Sequence, residues 1–264
     1  MTIRAVVTDL DGTAVPTGDV ITPVTLTAVS RLTVPLIAVT ARTPAGVRRL
    51  GRFADRLALA VSNGGALGWN PATGATLWEE VIATEELRSL IDFARALPGV
   101  GMSVFGVDAW KMTPSYLRLR GHTPREPWRS VSLDALADRP AYGAVFRHAT
   151  LTSDEMVTRL AEAGFTTRLN VTYSADHLVD IGPLGVDKAS GTRRALGLLG
   201  VHPSDAVAFG DMPNDLAMFA CCGQSVAMAN GHPAVRAAAT FTTASAADDG
   251  FARALEKLGL STDE

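Results

Sequence analysis

Two aspartates one residue apart, Asp9 and Asp11, close the run Ala5-Val6-Val7-Thr8-Asp9-Leu10-Asp11-Gly12-Thr13, where an apolar segment meets a glycine turn. Side chains two apart on an extended strand leave on the same side, so both carboxylates can face one electrophile from the strand's carboxyl end. That arrangement suits phosphoryl transfer, one carboxylate attacking while the other carries protons. Asp-Gly after a hydrophobic strand is also ordinary turn chemistry, so the decision falls to three further stretches. Leu36-Ile37-Ala38-Val39 leads into Thr40-Ala41-Arg42. Gly185-Val186-Asp187-Lys188 opens a helical stretch, and Asp205-Ala206-Val207-Ala208 leads into Phe209-Gly210-Asp211-Met212-Pro213-Asn214-Asp215.

The elements that must position these residues follow from the apolar pattern. Short apolar runs and helix-length segments alternate: residues 4–9 then 22–32, 35–39 then 44–54, 57–61, and later 186–199, 205–209 and 213–222. Such alternation predicts an α/β fold, a doubly wound parallel sheet with helices on both faces. Ligands of such sheets bind beyond the carboxyl ends of the strands. Asp9, Thr40 and Asp211 each end an apolar run, so the fold itself predicts that they converge.

The four stretches, in this order, resemble the motifs of the haloacid dehalogenase (HAD) superfamily of aspartate-nucleophile phosphatases. The stretch from Leu178 to Lys188, with Gly210-Asp-Met-Pro-Asn-Asp-Leu-Ala-Met, Val226-Ala-Met-Ala-Asn and Asp248-Asp-Gly-Phe, is similar to the Cof-like branch. Ala41 stands where that family usually has glycine. The resemblance implies a Rossmann-like core and a magnesium-dependent phosphatase acting on a small phosphorylated metabolite, a sugar phosphate in the first instance. Asp9 would be the nucleophile, and Asp11 the acid and base. Mg2+, a hard ion that takes oxygen ligands, would be held by Asp9, the Asp11 backbone carbonyl, Asp211 and waters. Thr40 and Lys188 would bind and neutralise the phosphoryl oxygens. Asp215 would orient Lys188 or a metal-bound water, Asn214 would contact phosphate or support the metal, and Arg42 would reach a substrate's phosphate or sugar. Two alternatives stay open: a sugar phosphomutase with the same double aspartate, and a non-catalytic protein that binds a phosphorylated ligand.

Between the two halves of this core, residues 1–80 and 183–264, the composition changes. Residues 81–182 gather Phe105, Trp110, Tyr116 and Trp128, with a hairpin pattern at 102–105 and 109–112 and helical patterns at 84–97 and 153–164, Ser153 as the N-cap of the second. This predicts an inserted α+β domain, and its position resembles the larger cap type of the superfamily, which closes over the active site and sets substrate specificity. Trp110, Tyr116 and Trp128 could stack on a sugar ring or form local core.

Composition narrows the remaining classes. The chain has 264 residues, of which 47% are hydrophobic and 19% charged, with a formal net charge of −3. A chain of this size buries roughly three quarters of its unfolded surface. No basic stripe of the kind nucleic acid demands is present. No apolar stretch approaches the ~20 residues of a membrane helix, and Met1-Thr2-Ile3-Arg4 runs into a strand with no secretory pattern, which predicts a cytoplasmic protein. Cys221 and Cys222 are adjacent on a predicted helix, too few for a zinc site and badly placed for an ordinary disulfide. The five histidines lack metal-ligand spacing. The stretch 182–190 lacks the glycine that precedes the lysine of a nucleotide-binding P-loop, and no Gly-x-Ser-x-Gly elbow occurs. The last residues, 261–264, read as a frayed tail, and the oligomeric state is unreadable.

Overall fold

The computed structural model describes residues 2–16 and 20–261. The chain divides into two compact units, Met1–Trp78 with Asp187–Glu264, and Glu79–Val186. The first is built on strands β1 Ala5–Thr8, β2 Leu36–Val39, β3 Leu57–Ser62, β4 Leu67–Trp69 and β5 Thr76–Glu79. The second contributes β6 Val100–Gly106, β7 Trp110–Met112, β8 Trp128–Ser130, β9 Ala141–His148, β10 Leu169–Ala175 and β11 Leu178–Pro183. The chain then returns to the first sheet with β12 Ala206–Gly210, β13 Gln224–Ala227 and β14 Phe241–Thr242.

The first sheet runs β14-β13-β12-β1-β2-β3-β4-β5. Every neighbouring pair from β14 to β3 is parallel, and β4 turns back antiparallel on β3. Its central strands are continuous apolar runs because both of their faces are covered. Ala5 and Val7 pack with Ala195 and Leu196 of α6 Lys188–Leu198, with Met218 of α7 Leu216–Cys221 and with Val235 of α8 Pro233–Ala238. On the opposite face Phe209 meets Phe251 of α9 Gly250–Lys257 edge to face, ring centroids 4.8 Å apart, a geometry worth about 1 kcal/mol beyond its burial. α9 lies against α1 Pro23–Ser30. The fold is thus α/β with a parallel sheet covered on both sides.

Several boundaries differ from the sequence pattern. The segment 44–54 is not one helix: α2 Pro44–Arg48 ends early, and the chain continues as a tight turn of helix over Gly51–Arg56, with Gly51 at φ +51°. The segment 213–222 likewise opens as a short turn of helix, Pro213–Asp215, before α7. Residues 262–264 of the expected frayed tail lie outside the described residues, and Ser261 is buried. The thiols of Cys221 and Cys222 are reduced and 4.0 Å apart.

The second unit is α+β. Its sheet runs β10-β11-β9-β6-β7-β8, antiparallel except where β8 joins β7. α3 Thr84–Ala96 and α5 Ser153–Glu162 bury Leu87, Leu90, Ile91, Met156 and Leu160 in one cluster with Met102, Phe146 and Ile181 of the sheet. The N-cap of α5 is Thr152 rather than Ser153. Its hydroxyl accepts from the Glu155 N–H while the Glu155 carboxylate accepts from the Thr152 N–H, a reciprocal pairing that only the threonine's position allows. Tyr116, on α4 Pro114–Arg120, belongs to the core of this unit, clustered with Met112 and Val145. Trp110 is half buried against Phe105 and donates to Ser103 Oγ at 2.6 Å. Among the described residues no helix is long and apolar enough to cross a membrane.

Candidate active site

Strand order decides which residues can meet. With β12, β1, β2 and β3 side by side and parallel, the residues just past their carboxyl ends form a row: Asp211, Asp9, Thr40 and Asn63. Lys188 is delivered from the side, as the first residue of α6. That helix start is fixed by a reciprocal cap: the Ser190 N–H donates to Asp187 Oδ1 at 2.7 Å, and the Asp187 N–H donates to Ser190 Oγ at 2.9 Å. A cation at the positive end of a helix dipole is unfavourable. Two carboxylates offset it.

Lys188 Nζ lies 2.8 Å from Asp9 Oδ1 and 2.7 Å from Asp215 Oδ1. All three groups are buried. The other oxygen of Asp215 accepts from the backbone N–H groups of Asp211 and Met212, at 2.9 and 3.0 Å, so this residue braces both the lysine and the loop that carries Asp211. Asp211 is held in turn by Thr13, whose hydroxyl donates to Oδ1 at 2.8 Å. Oxygens of Asp9, Asp211 and Asp215 lie within 4.8 Å of one another. Gly12 makes the close approach possible: at φ +75°, a Cβ there would stand 2.2 Å from Asp211 Oδ2. Asn230 ties this corner down, donating from Nδ2 to the Gly12 carbonyl at 2.9 Å while its Oδ1 accepts from the Ala246 N–H.

Three carboxylates share one ammonium, and the proton affinities show the strain. Burial pushes the Asp9 carboxyl well above its ordinary range; Lys188 opposes this, and the charges of Asp215 and Asp211 add to it. Asp211 is pushed up to about 6, chiefly by burial and then by Asp215, against the hydrogen bond from Thr13. Burial alone would lower the Lys188 ammonium, but Asp215 and then Asp9 more than offset it and its net displacement is upward.

The remaining candidates fall into two groups. Thr40 is buried at the end of β2, and its Oγ1 accepts from the Arg42 N–H at 3.1 Å, an arrangement that leaves the hydroxyl proton to be donated. Asn214 sits in the turn that carries Asp215, its Oδ1 buried without a hydrogen-bond partner. Asp11 and Arg42 form a pair of their own: Arg42 Nε donates to Asp11 Oδ2 at 2.8 Å and Nη2 to Oδ1 at 2.5 Å. The Asp11 side chain is 62% exposed against 11% for Arg42. The structure thus brings Asp9, Lys188, Asp211 and Asp215 into one cluster and places Arg42 on Asp11.

One segment at the site stands outside the four motifs. The turn Asn63-Gly64-Gly65 follows β3, with Asn63 itself at φ +52° and its Oδ1 buried without a partner. The Asn63 N–H donates to the Arg42 carbonyl and the Gly64 N–H to the Thr40 carbonyl. Gly65, at φ +121°, runs so close to the α6 cap that a Cβ would stand 2.2 Å from the Asp187 carbonyl oxygen. The turn therefore locks the loop after Thr40 to the helix that presents Lys188. Its signal in the chain is Asn-Gly-Gly one residue beyond the apolar run 57–61.

A family model of haloacid dehalogenase-like hydrolases matches residues 6–255. The chain belongs to that family. Among its relatives in this hydrolase family, a phosphoglycolate phosphatase of Methanothrix thermoacetophila is 25% identical over 256 residues, covering 97% of each chain. A 5-amino-6-(5-phospho-D-ribitylamino)uracil phosphatase of Bacillus subtilis is 41% identical over 81 residues, which are 31% of this chain and 30% of that one. Among solved structures, a sugar phosphatase of HAD subclass IIB superimposes with a TM-score of 0.85 over 97% of this chain and 99% of that one. At 20% identity that last likeness is one of fold.

Proposed function

We propose that this HAD-family hydrolase is a magnesium-dependent phosphatase that releases phosphate from a small phosphorylated metabolite, in the first instance a sugar phosphate, through a phospho-Asp9 intermediate. The observation that carries the reading is the Lys188 ammonium bridging Asp9 and Asp215 at 2.8 and 2.7 Å inside a buried acidic cluster at the strand ends. A structural ion pair needs one carboxylate for one ammonium. A third carboxylate, brought in at Asp211, adds negative charge that a bound cation would neutralise.

The donors suit magnesium. Both oxygens of Asp215 are committed, to Lys188 and to two backbone N–H groups, so this residue is a brace and not a ligand. Asp9 and Asp211 each have one oxygen engaged, by Lys188 and Thr13, and keep Oδ2 for a hard cation. Burial raises the proton affinity of both, and a bound cation would oppose that shift by favouring their ionised forms. Asp9, Asp211 and the Asp11 backbone carbonyl would hold the ion. Bound there, magnesium supplies positive charge to the phosphoryl oxygens and favours the ionised form of Asp9.

The chain's own residues would then divide the reaction. Asp9 attacks phosphorus as the bond to the leaving oxygen breaks, and Asp11 gives that oxygen its proton. Water attacks the acyl phosphate, Asp11 takes the water's proton, and Asp9 and orthophosphate are regenerated. Lys188 and the Thr40 hydroxyl stabilise charge on the transferring group, and Asn214 adds a polar contact to it. The inserted unit, 79–186, would select the leaving group.

The test is a screen of several dozen phosphorylated metabolites, phosphoglycolate and sugar phosphates among them, read by orthophosphate release with magnesium. Phosphate release by the wild type and none by Asp9→Asn is the expected result. Formation of an isomeric sugar phosphate without free phosphate would replace the hydrolase with a mutase. Binding without turnover on every compound would replace it with a phospho-ligand sensor.

A further inference from the structure

The geometry points to Arg42 as the positioning residue for Asp11, acting on the leaving group through that carboxylate and making no bond to the substrate's phosphate. The inference rests on the phosphatase reading above and deepens it. A guanidinium and a carboxylate joined by two parallel N–H···O bonds, here 2.8 and 2.5 Å, form the most directional ion pair available to side chains. A phosphate would have to displace that carboxylate to take the same fork.

The two partners are fixed very differently. Arg42 is anchored from behind: Nη1 donates to the Gly46 carbonyl at 3.3 Å, its backbone N–H donates to Thr40 Oγ1 at 3.1 Å, and its carbonyl accepts from the Asn63 N–H at 3.0 Å. Its side chain is only 11% exposed. Asp11 projects into solvent at 62% exposure, and the fork to Arg42 is what selects one of its rotamers. Ionised and accepting from Arg42 through both oxygens, Asp11 takes its direction from a guanidinium tied to Thr40 and to the 63–65 turn, and one bond of the fork opens for it to carry the proton taken from water to the next leaving oxygen. The same loop fixes a phosphate-facing hydroxyl and the acid/base together.

The experiment compares Arg42→Ala and Arg42→Lys with wild type on two substrates: a sugar phosphate, whose alkoxide cannot leave without a proton, and p-nitrophenyl phosphate, whose phenolate can. Removing a leaving-group positioner lowers kcat on the sugar phosphate at least about tenfold more than on the aryl ester, and leaves the inhibition constant of orthophosphate within about twofold. Lysine keeps the charge but lacks the fork, so it does not restore the sugar phosphate rate. Added guanidinium ion restores part of it in Arg42→Ala. Asp11→Asn with Arg42→Ala is no slower than Asp11→Asn alone, within about threefold, because the arginine acts only through the aspartate. Equal losses on both substrates, weaker orthophosphate inhibition and losses that multiply in the double variant would overturn the inference and make Arg42 a phosphate ligand. Should the alanine variant fail to fold, the lysine variant carries the same substrate contrast. A wild type without turnover on either substrate would instead remove the phosphatase reading itself, and this inference with it.

Discussion

Lys188→Met keeps most of the side-chain volume and removes the one ammonium that serves two buried carboxylates. Asp215 would lose its 2.7 Å partner and Asp9 its 2.8 Å partner. Asp215 would keep the Asp211 and Met212 N–H groups on Oδ2, while its buried Oδ1 would face a thioether. Taking one partner from a buried pair costs about 3–5 kcal/mol, and the loss falls on two carboxylates here, so the upper half of that range is expected at pH 7. Each kcal/mol moves the melting temperature of a chain of this size by about 2–4 °C, giving a drop of roughly 8–20 °C. Circular dichroism melts in chelator at pH 7 and pH 5 measure it. The orphaned carboxylates hold protons more tightly in the folded than in the unfolded state, so the variant's stability falls as pH rises, and its deficit at pH 5 shrinks to less than half. A deficit below about 1 kcal/mol at pH 7, or one equal at both pH values, would refute the view that Lys188 is held by charge.

Three more outcomes follow from the same site. Asp9→Asn keeps the shape but cannot form an acyl phosphate, so phosphate release should drop below roughly a thousandth of wild type with the folded circular dichroism spectrum preserved; a higher rate sinks the nucleophile assignment. Without metal, Asp211 takes up a proton near pH 6 when folded against 3.8 ordinarily, so its contribution is fully present only below about pH 3.8, and of a total of about 3 kcal/mol roughly 2 kcal/mol is lost as pH rises from 4 to 6. Magnesium at pH 7 should recover stability in wild type and not in Asp211→Asn, measured by melts with and without chelator, and equal stabilisation of both would contradict the metal site. Gly65→Ala must move the Asp187 carbonyl, whereas at Gly64 a Cβ meets nothing within 4 Å. Gly64→Ala should cost only the ~1–2 kcal/mol of a left-handed residue, while Gly65→Ala should cost more and lower kcat at least about tenfold; indistinguishable kcat values would show that the turn does not set Lys188.

Much of the parallel sheet was legible because its central strands are unbroken apolar runs ending in chemistry-bearing residues, and the wound topology puts such ends in a row. The break after Arg48 was not, since 44–54 keeps a helical spacing and only the backbone of Gly51, at φ +51°, shows the turn. The cap of α5 was legible in principle. Thr152 and Ser153 are both good caps, and it is Glu155, three residues beyond Thr152, that settles the position. At the site, the ends of the apolar runs foretold that Asp9, Thr40 and Asp211 converge, and the family resemblance added Lys188 and Asp215. Neither could place Arg42: a guanidinium on a long stem reaches many acceptors, and which carboxylate it grips depends on the loop drawn in by Asn63 and Gly64. Those two residues and Gly65 act through backbone geometry, which leaves only a weak mark in residue type.

The nucleophile's strand has a history as well as a place. β1 pairs with β2 on one edge within the first 40 residues, but its other edge waits for β12, where Thr8 meets Phe209. A ribosome adding roughly 5–20 residues per second needs about 10–40 s to make the intervening chain. Throughout that interval a short, mostly apolar strand edge lacks its native partner next to Asp9, a template for any other nascent strand that passes. The inserted unit lengthens the exposure, since it is synthesised entirely within the wait. Asp9, among the first residues made, therefore gains Asp211, Asp215 and the sheet that aligns them only when four fifths of the chain exists, and a truncated product presents that open edge with no catalytic site to show for it.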